Sequence, residues 1–297
     1  MSSVRERIRG SIPALITPMK DGKVDEAALR KLVHWQIEQG SHGLVPCGTT
    51  GESPTLSDDE VRRVVEICVE EAKGRVPVIG GAGANSTAHA IALTRIVKEA
   101  GADAALSVTG YYNKPSQEGL YAHYAAIADA VDIPLIVYNI PGRAIVEITV
   151  ETMSRLARLK SVIGVKDATA NLARPIRERI ACGREWRMLS GEDSTTLGYM
   201  VQGGHGCISV TANIAPRLCA DFQEACLQGA YETALALQER LMPLHDAMFV
   251  EPSPAPVKYA ASLLGIARDE VRLPLVKASD AARVRVREAM ASAGLPI

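Results

Sequence analysis

Short β-branched or apolar runs alternate with longer amphipathic stretches, at intervals of about 25–30 residues, from the start of this chain to about residue 230. This alternation restricts the fold more than any other feature. Strands separated by helices cannot pair as tight hairpins, so they run parallel and their faces are covered by the crossover helices. The strand candidates are Ser11–Thr17, Gly43–Cys47, Val76–Gly80, Ala104–Val108, Pro134–Tyr138, Val162–Lys166, Arg187–Leu189 and Cys207–Val210. Eight is the number that closes a parallel barrel. Helical patterns fill the intervals, among them Gln117–Ala130 and Ser57–Lys73, and in the latter Ser57-Asp-Asp-Glu60 has the form of a capping box. After residue 230 the alternation stops, and Tyr231–Met248, Pro254–Leu264 and Asp280–Ala293 read as helices with no strand between them. The expected architecture is therefore α/β: a (β/α)8 TIM barrel over residues 1–229, with a C-terminal helical appendage over 230–297.

An open doubly wound sheet also alternates strand and helix. Its phosphate fingerprint is missing, because Gly81-Ala-Gly83-Ala-Asn-Ser86 lacks the third glycine and Gly43-Leu-Val-Pro-Cys-Gly48-Thr-Thr lacks a P-loop lysine.

Charge narrows the range of functions. Thirty-three basic against 34 acidic side chains leave a net charge of -1, so no global field favours nucleic acid or an anionic membrane. The N-terminus lacks the apolar core of a signal peptide, and no apolar run approaches the ~20 residues that span a bilayer, so a cytoplasmic protein acting on small molecules is expected. The six cysteines have no CxxC spacing and read as reduced thiols. The six histidines show no HxH or HExxH spacing, so no metal is expected. Arg174, Arg177 and Arg179, with Glu178 among them, read as a solvated helix face.

Barrel enzymes carry their chemistry at the C-terminal ends of strands, where four places stand out. In Val162-Ile-Gly-Val-Lys166-Asp-Ala168 a lysine interrupts a buried strand, and period-two alternation puts Gly164, Lys166 and Ala168 on one face. An inward amine there is partly desolvated, which favours the neutral form that attacks a carbonyl. The structural alternative is a lysine snorkelling from a strand end or paired with Asp167. In Leu135-Ile-Val-Tyr138-Asn-Ile-Pro-Gly-Arg143 a phenol for proton transfer is followed by a guanidinium suited to a carboxylate. A half-buried tyrosine and a surface arginine explain these residues equally well. Gly48-Thr49-Thr50-Gly51-Glu52-Ser53 offers hydroxyls and amides for a carboxylate and a proton relay, or forms a plain turn. Gly110-Tyr111-Tyr112-Asn113-Lys114-Pro115 closes a site or packs against a neighbouring subunit.

Taken together, GTTGES, YYNKPSQEGLY, YNIPGR, GVKDA and GGHGCISV, in this order, closely resemble the dihydrodipicolinate synthase family over nearly the whole chain. That family is one of the pyruvate-dependent class I aldolases, which include N-acetylneuraminate lyase. The resemblance implies the 4-hydroxy-tetrahydrodipicolinate synthase reaction of the diaminopimelate route to lysine. Pyruvate condenses with L-aspartate 4-semialdehyde through a Schiff base on Lys166, with no cofactor. By the same resemblance Tyr138 exchanges protons beside the imine, and Thr49 and Tyr112 complete a relay. Thr50, loop amides, Gly191 and Ile208 frame the pyruvate, and Arg143 holds the second substrate's carboxylate. Tyr112 is expected to reach a neighbouring subunit's site, within a homotetramer built as a dimer of dimers.

Two other functions compete. A sialic acid lyase or keto-deoxy sugar acid aldolase or dehydratase keeps the Schiff base but generally carries GSTGE in place of GTTGE, and Arg143 suits a carboxylate better than sugar hydroxyls. A non-catalytic keto-acid-binding barrel needs a broken set of residues, and here the set is complete. Gly110 departs from the proline usual before the tyrosine pair. Among the positions linked to lysine feedback, Ser53 and Asn85 match, whereas Pro54, Asp58, Val61 and His89 differ from the pattern of lysine-inhibited members. The expected outcome is weak or absent inhibition by lysine; strong inhibition in a titration at millimolar lysine or less contradicts it.

Overall fold

The computed structural model describes residues 3–297. Its strands in chain order are β1 (Gly10–Pro13), a small hairpin of β2 (Met19–Lys20) and β3 (Lys23–Val24), then β4 (Ile79–Gly81), β5 (Ala104–Val108), β6 (Leu135–Asn139), β7 (Val162–Asp167), β8 (Arg187–Ser190) and β9 (Gly206–Ser209). One parallel sheet runs in the order β1-β9-β8-β7-β6-β5-β4.

The gap between β4 and β1 is filled by residues 42–46, which form only the isolated bridges Ala14↔Val45 and Leu44↔Val78. On one side the His42 and Val45 amides donate to Ser11 and Pro13 at 2.8 and 2.9 Å. On the other side the Ile79 and Gly81 amides donate to Leu44 and Pro46 at 2.8 and 2.9 Å. Pro46 has no N–H to give, so the ladder stops short of a regular strand. The expected strand Gly43–Cys47 is thus an irregular eighth stave, and its hydrogen bonds still close a TIM barrel. The first expected strand, Ser11–Thr17, is shorter than predicted, ending at Pro13.

Alternation along the staves sorts side chains into two layers. Ile12, Val45, Ile79, Leu106, Ile136, Tyr138, Leu189 and Ile208 fill the barrel, with Ile8 plugging its foot. Leu135, Val137, Val162 and Val165 point outward, against the helices. Helices begin where capping side chains satisfy orphan amides: Ser57 and Glu60 form the expected capping box, and Asp25, Ser86, Ser116 and Thr149 each accept an amide three residues on. The helix Gln117–Ala130 falls where the pattern predicts it.

After β9 the chain forms the helices Tyr231–Ala247, Ala255–Leu263 and Asp280–Ser292. No helix of the described residues is long and apolar enough to cross a membrane. These C-terminal helices bear on the mouth of the barrel. Lys258, fully buried, pairs with the buried Glu52 of the 47–55 loop and donates to the Glu270 carbonyl at 2.7 Å. The other Glu52 oxygen accepts the Arg272 amide at 2.9 Å. Burial pushes the Lys258 ammonium down from its ordinary range, and the Glu52 carboxylate opposes that shift. A buried pair becomes costly when one member is removed, because the other charge stays in low dielectric. Lys258→Met is expected to lower unfolding free energy by about 3–5 kcal/mol in urea titration, and a wild-type midpoint contradicts this role.

Candidate active site

Lys166 sits on β7, all of whose residues are buried. The β6–β7 register slips between Leu135 and Ile136, pairing Leu135 with Val162, Ile136 with Gly164 and Tyr138 with Lys166. Val165 belongs to the outer layer, so its neighbour Lys166 turns into the barrel beside Tyr138. The Lys166 Nζ lies 4.2 Å from the centroid of the Tyr138 ring. Both residues are only 6% exposed. Small neighbours leave room for the lysine stem. A Cβ on Gly191, which follows β8, would lie 3.0 Å from Lys166 Cε and 3.1 Å from Cγ. Lys166 therefore does not snorkel, and the acid near its strand end, Asp167, faces Arg174 at 3.9 Å.

The 47–55 loop is shaped by close backbone approach. Cys47 and Glu52 adopt left-handed conformations, with φ of 56° and 59°. A Cβ on Gly81 would lie 2.0 Å from the Cys47 carbonyl oxygen, so only glycine fits there. Thr17 Oγ1 donates to the Gly51 carbonyl at 2.7 Å, fixing the turn from below. Thr50 is buried, while Thr49 lines a cavity of about 390 Å3 together with Tyr111, Gly83, Val108, Ile140 and Arg143. Arg143 lies in the short helix Pro141–Ala144 that follows β6. Asp58 and His89 also line the cavity and pair at 3.2 Å. Lys166 and Tyr138 are not among its lining residues; they sit within the barrel, where Val108 pairs in register with Tyr138.

The structure thus gathers Lys166, Tyr138 and Gly191 in the barrel, and Thr49 and Arg143 at the cavity. Ile208 is buried in the inner layer with Tyr138, and does not line the cavity. Tyr112 stands apart. It is 86% exposed with φ of 72°, and its neighbour Tyr111 is the one that faces this chain's own cavity. Asn113 steadies the loop by donating to the Asn85 carbonyl at 2.9 Å.

Sequence reasoning missed a buried ionic cluster behind β7. Arg174 is 4% exposed, which corrects its reading as part of a solvated face. Its guanidinium donates to Glu178 at 2.7 Å, to Glu147 at 2.5 Å and to the Ile148 carbonyl at 2.5 Å. Asn139 Oδ1, on β6, accepts the Ile148 amide at 3.1 Å. The segment that follows Arg143 is therefore fastened to the strands carrying Tyr138 and Lys166. Burial pushes the Glu178 carboxyl up to about 7, a shift that Arg174 moderates and Asp167 reinforces. The available signal was the Arg174/Glu178 spacing of four on a helix that directly follows the lysine strand.

Fold and site together define a barrel with an inward lysine, faced by a tyrosine, at the C-terminal end of its staves. The sequence pattern of the dihydrodipicolinate synthetase family matches residues 7–293. A 4-hydroxy-tetrahydrodipicolinate synthase of Parvibaculum lavamentivorans is 68% identical over 287 residues, covering 97% of this chain and 99% of the relative. The crystal structure of dihydrodipicolinate synthase from Aquifex aeolicus superposes with a TM-score of 0.95 at 43% identity, covering 98% of this chain and 99% of that one. The chloride-inhibited enzyme of Acinetobacter baumannii, solved in complex with pyruvate, gives 0.95 at 45% identity, covering 97% and 99%. The chain belongs to the dihydrodipicolinate synthetase family.

The space at Gly191 can be tested without any substrate. Gly191→Ala is expected to cost about 1–3 kcal/mol of stability through overpacking against the Lys166 stem, and to move Nζ off the Tyr138 ring in a crystal structure. Unchanged stability and an unmoved lysine would show that the glycine is not needed.

Proposed function

We propose that this chain is a 4-hydroxy-tetrahydrodipicolinate synthase, a lyase that condenses pyruvate with L-aspartate 4-semialdehyde in the diaminopimelate route to lysine. The observation that carries the reading is the Lys166 amine over the Tyr138 ring inside the barrel, in a chain of this family. Lys166 Nζ adds to the C2 carbonyl of pyruvate, and the carbinolamine loses water to give a protonated imine. Tyr138 gives and takes the protons of these steps through Thr49 and Tyr112 of the partner subunit. Thr50 and loop amides hold the pyruvate carboxylate, with Gly191 and Ile208 bounding the space. Loss of a methyl proton gives an enamine, whose carbon attacks the aldehyde of the second substrate while Arg143 holds that substrate's carboxylate. The second substrate's amine then attacks the imine carbon, closing the ring and releasing Lys166. The protonated imine is itself the electron sink, so the reaction calls for no metal or organic cofactor.

The working form is proposed to be a cytoplasmic homotetramer, a dimer of dimers. Two surfaces support this. The exposed Tyr112 holds a left-handed backbone, which costs a non-glycine residue free energy and is kept most often where a ligand or partner is contacted. Ile176 and Ile180 lie one turn apart on the helix Arg174–Cys182, with Leu172 just before it beside Gly198, and all three apolar side chains are exposed. An apolar patch of this kind is usual at subunit contacts.

A coupled assay tests the substrate pair. Turnover is expected with pyruvate plus L-aspartate 4-semialdehyde and not with N-acetylneuraminate, and Arg143→Gln should lower kcat/KM for the semialdehyde about 10–100-fold. Turnover of N-acetylneuraminate alone would favour the sialic acid lyase reading, and an inert protein the binding-only barrel.

A further inference from the structure

The opposite end of the barrel carries a cationic cleft that the reaction does not use. Parallel order places β1, β9 and β8 side by side, so the residues that begin these strands share the foot of the barrel. Those residues are Arg9, just before β1, His205, just before β9, and Arg187, the first residue of β8. The link is direct: the Gly10 amide donates to the His205 carbonyl at 2.8 Å, and the His205 amide donates to Met188 at 2.8 Å. Arg7, from the short helix Val4–Arg7, completes a cleft of about 440 Å3, with Glu6 and Leu227 on its walls.

Among the described residues no carboxylate lies within 4.0 Å of the Arg7, Arg9 or Arg187 guanidinium. Glu6, the one acid lining the cleft, is engaged instead in capping its own helix, accepting the Ser3 amide at 2.8 Å. The Arg187 Nε is buried with no hydrogen-bond partner. His205 Nδ1 accepts the Met188 amide at 3.2 Å, which leaves the other ring nitrogen as the donor. Burial together with Arg187 and Arg179 pushes this imidazole down to about 4, so it is neutral at physiological pH. Three like charges crowded in one concavity, one of them partly dehydrated, repel each other and are costly without a counter-ion. Glu185 and Glu6 act on Arg187 from a distance, yet neither closes to an ion pair with it.

We propose that this cleft binds a phosphoryl dianion, held by the forked donors of Arg187 and Arg9 with the His205 N–H, while Arg7, whose Nη2 already donates to the Gly74 carbonyl at 2.8 Å, adds its charge. Guanidinium forks match a tetrahedral oxyanion through paired N–H···O bonds. The cleft is larger than phosphate alone and lies within the usual size range of small-molecule sites, and the 40% exposed Leu227 offers an apolar wall for the organic part of a phosphate monoester.

Calorimetric titration of the native protein with inorganic phosphate, and separately with adenosine 5′-monophosphate, tests this at constant ionic strength set with sodium chloride. At least one titrant is expected to give saturable heat with a Kd of about 1 mM or tighter. Arg187→Gln and Arg9→Gln should each weaken it about tenfold or more. Tighter binding of the monoester would assign the site to an organic phosphate, and equal affinity to phosphate itself. Absence of saturable heat with both titrants overturns the proposal, as does unchanged affinity in the variants. Arg9 is exposed and lies outside the strands, so its variant decides the matter if Arg187→Gln fails to fold.

Discussion

Everything at the mouth of this barrel depends on one cross-strand pair, Lys166 on β7 opposite Tyr138 on β6. Parallel strands in register send partnered side chains to the same face, so once Tyr138 enters the barrel Lys166 must follow. A shift of one residue would turn the amine outward among the helices. The slip at Leu135/Ile136 therefore matters as much as the identity of the lysine. Placing an amine in an apolar interior is unfavourable, and the fold accommodates it with Gly191 beside its stem and an aromatic face beside its nitrogen.

Buried charge elsewhere serves the same end. Arg174 ties the segment after Arg143 to the far side of β7, and Lys258 with Glu52 ties the 47–55 loop to the C-terminal helices. Ion pairs of this kind contribute little net stability compared with apolar packing, yet each is expensive to break. They select one arrangement of loops over others. The loops so held carry Thr49, Thr50 and Arg143, the residues proposed to receive the two substrates, while the strands supply Lys166 and Tyr138, the pair proposed to react.

Much of the fold was legible because barrel periodicity is strong. β5 and the helix Gln117–Ala130 fall on their expected residues, since an uninterrupted apolar run and a clean Ser116 cap define them. Residues 42–46 misled because an apolar run signals burial but says nothing of a proline at the ladder's end. The inward turn of Lys166 was inferable from alternation, but the register slip was not. Arg174 was misread because charge on a helix usually marks the wet face, and its burial arises from partners 27 residues away at Glu147 and four away at Glu178. Long-range pairs such as Lys258 with Glu52, 206 residues apart, leave no local trace. The exposure of Tyr112 likewise could not be read from its motif alone.

In the proposed reaction Lys166 is the amine that joins the keto acid. Incubating the native protein with pyruvate, reducing with borohydride and mapping the digested peptides measures this directly. A three-carbon adduct on Lys166, absent from Lys166→Arg, is the predicted result. An unmodified protein, or an adduct on any other lysine, would contradict it.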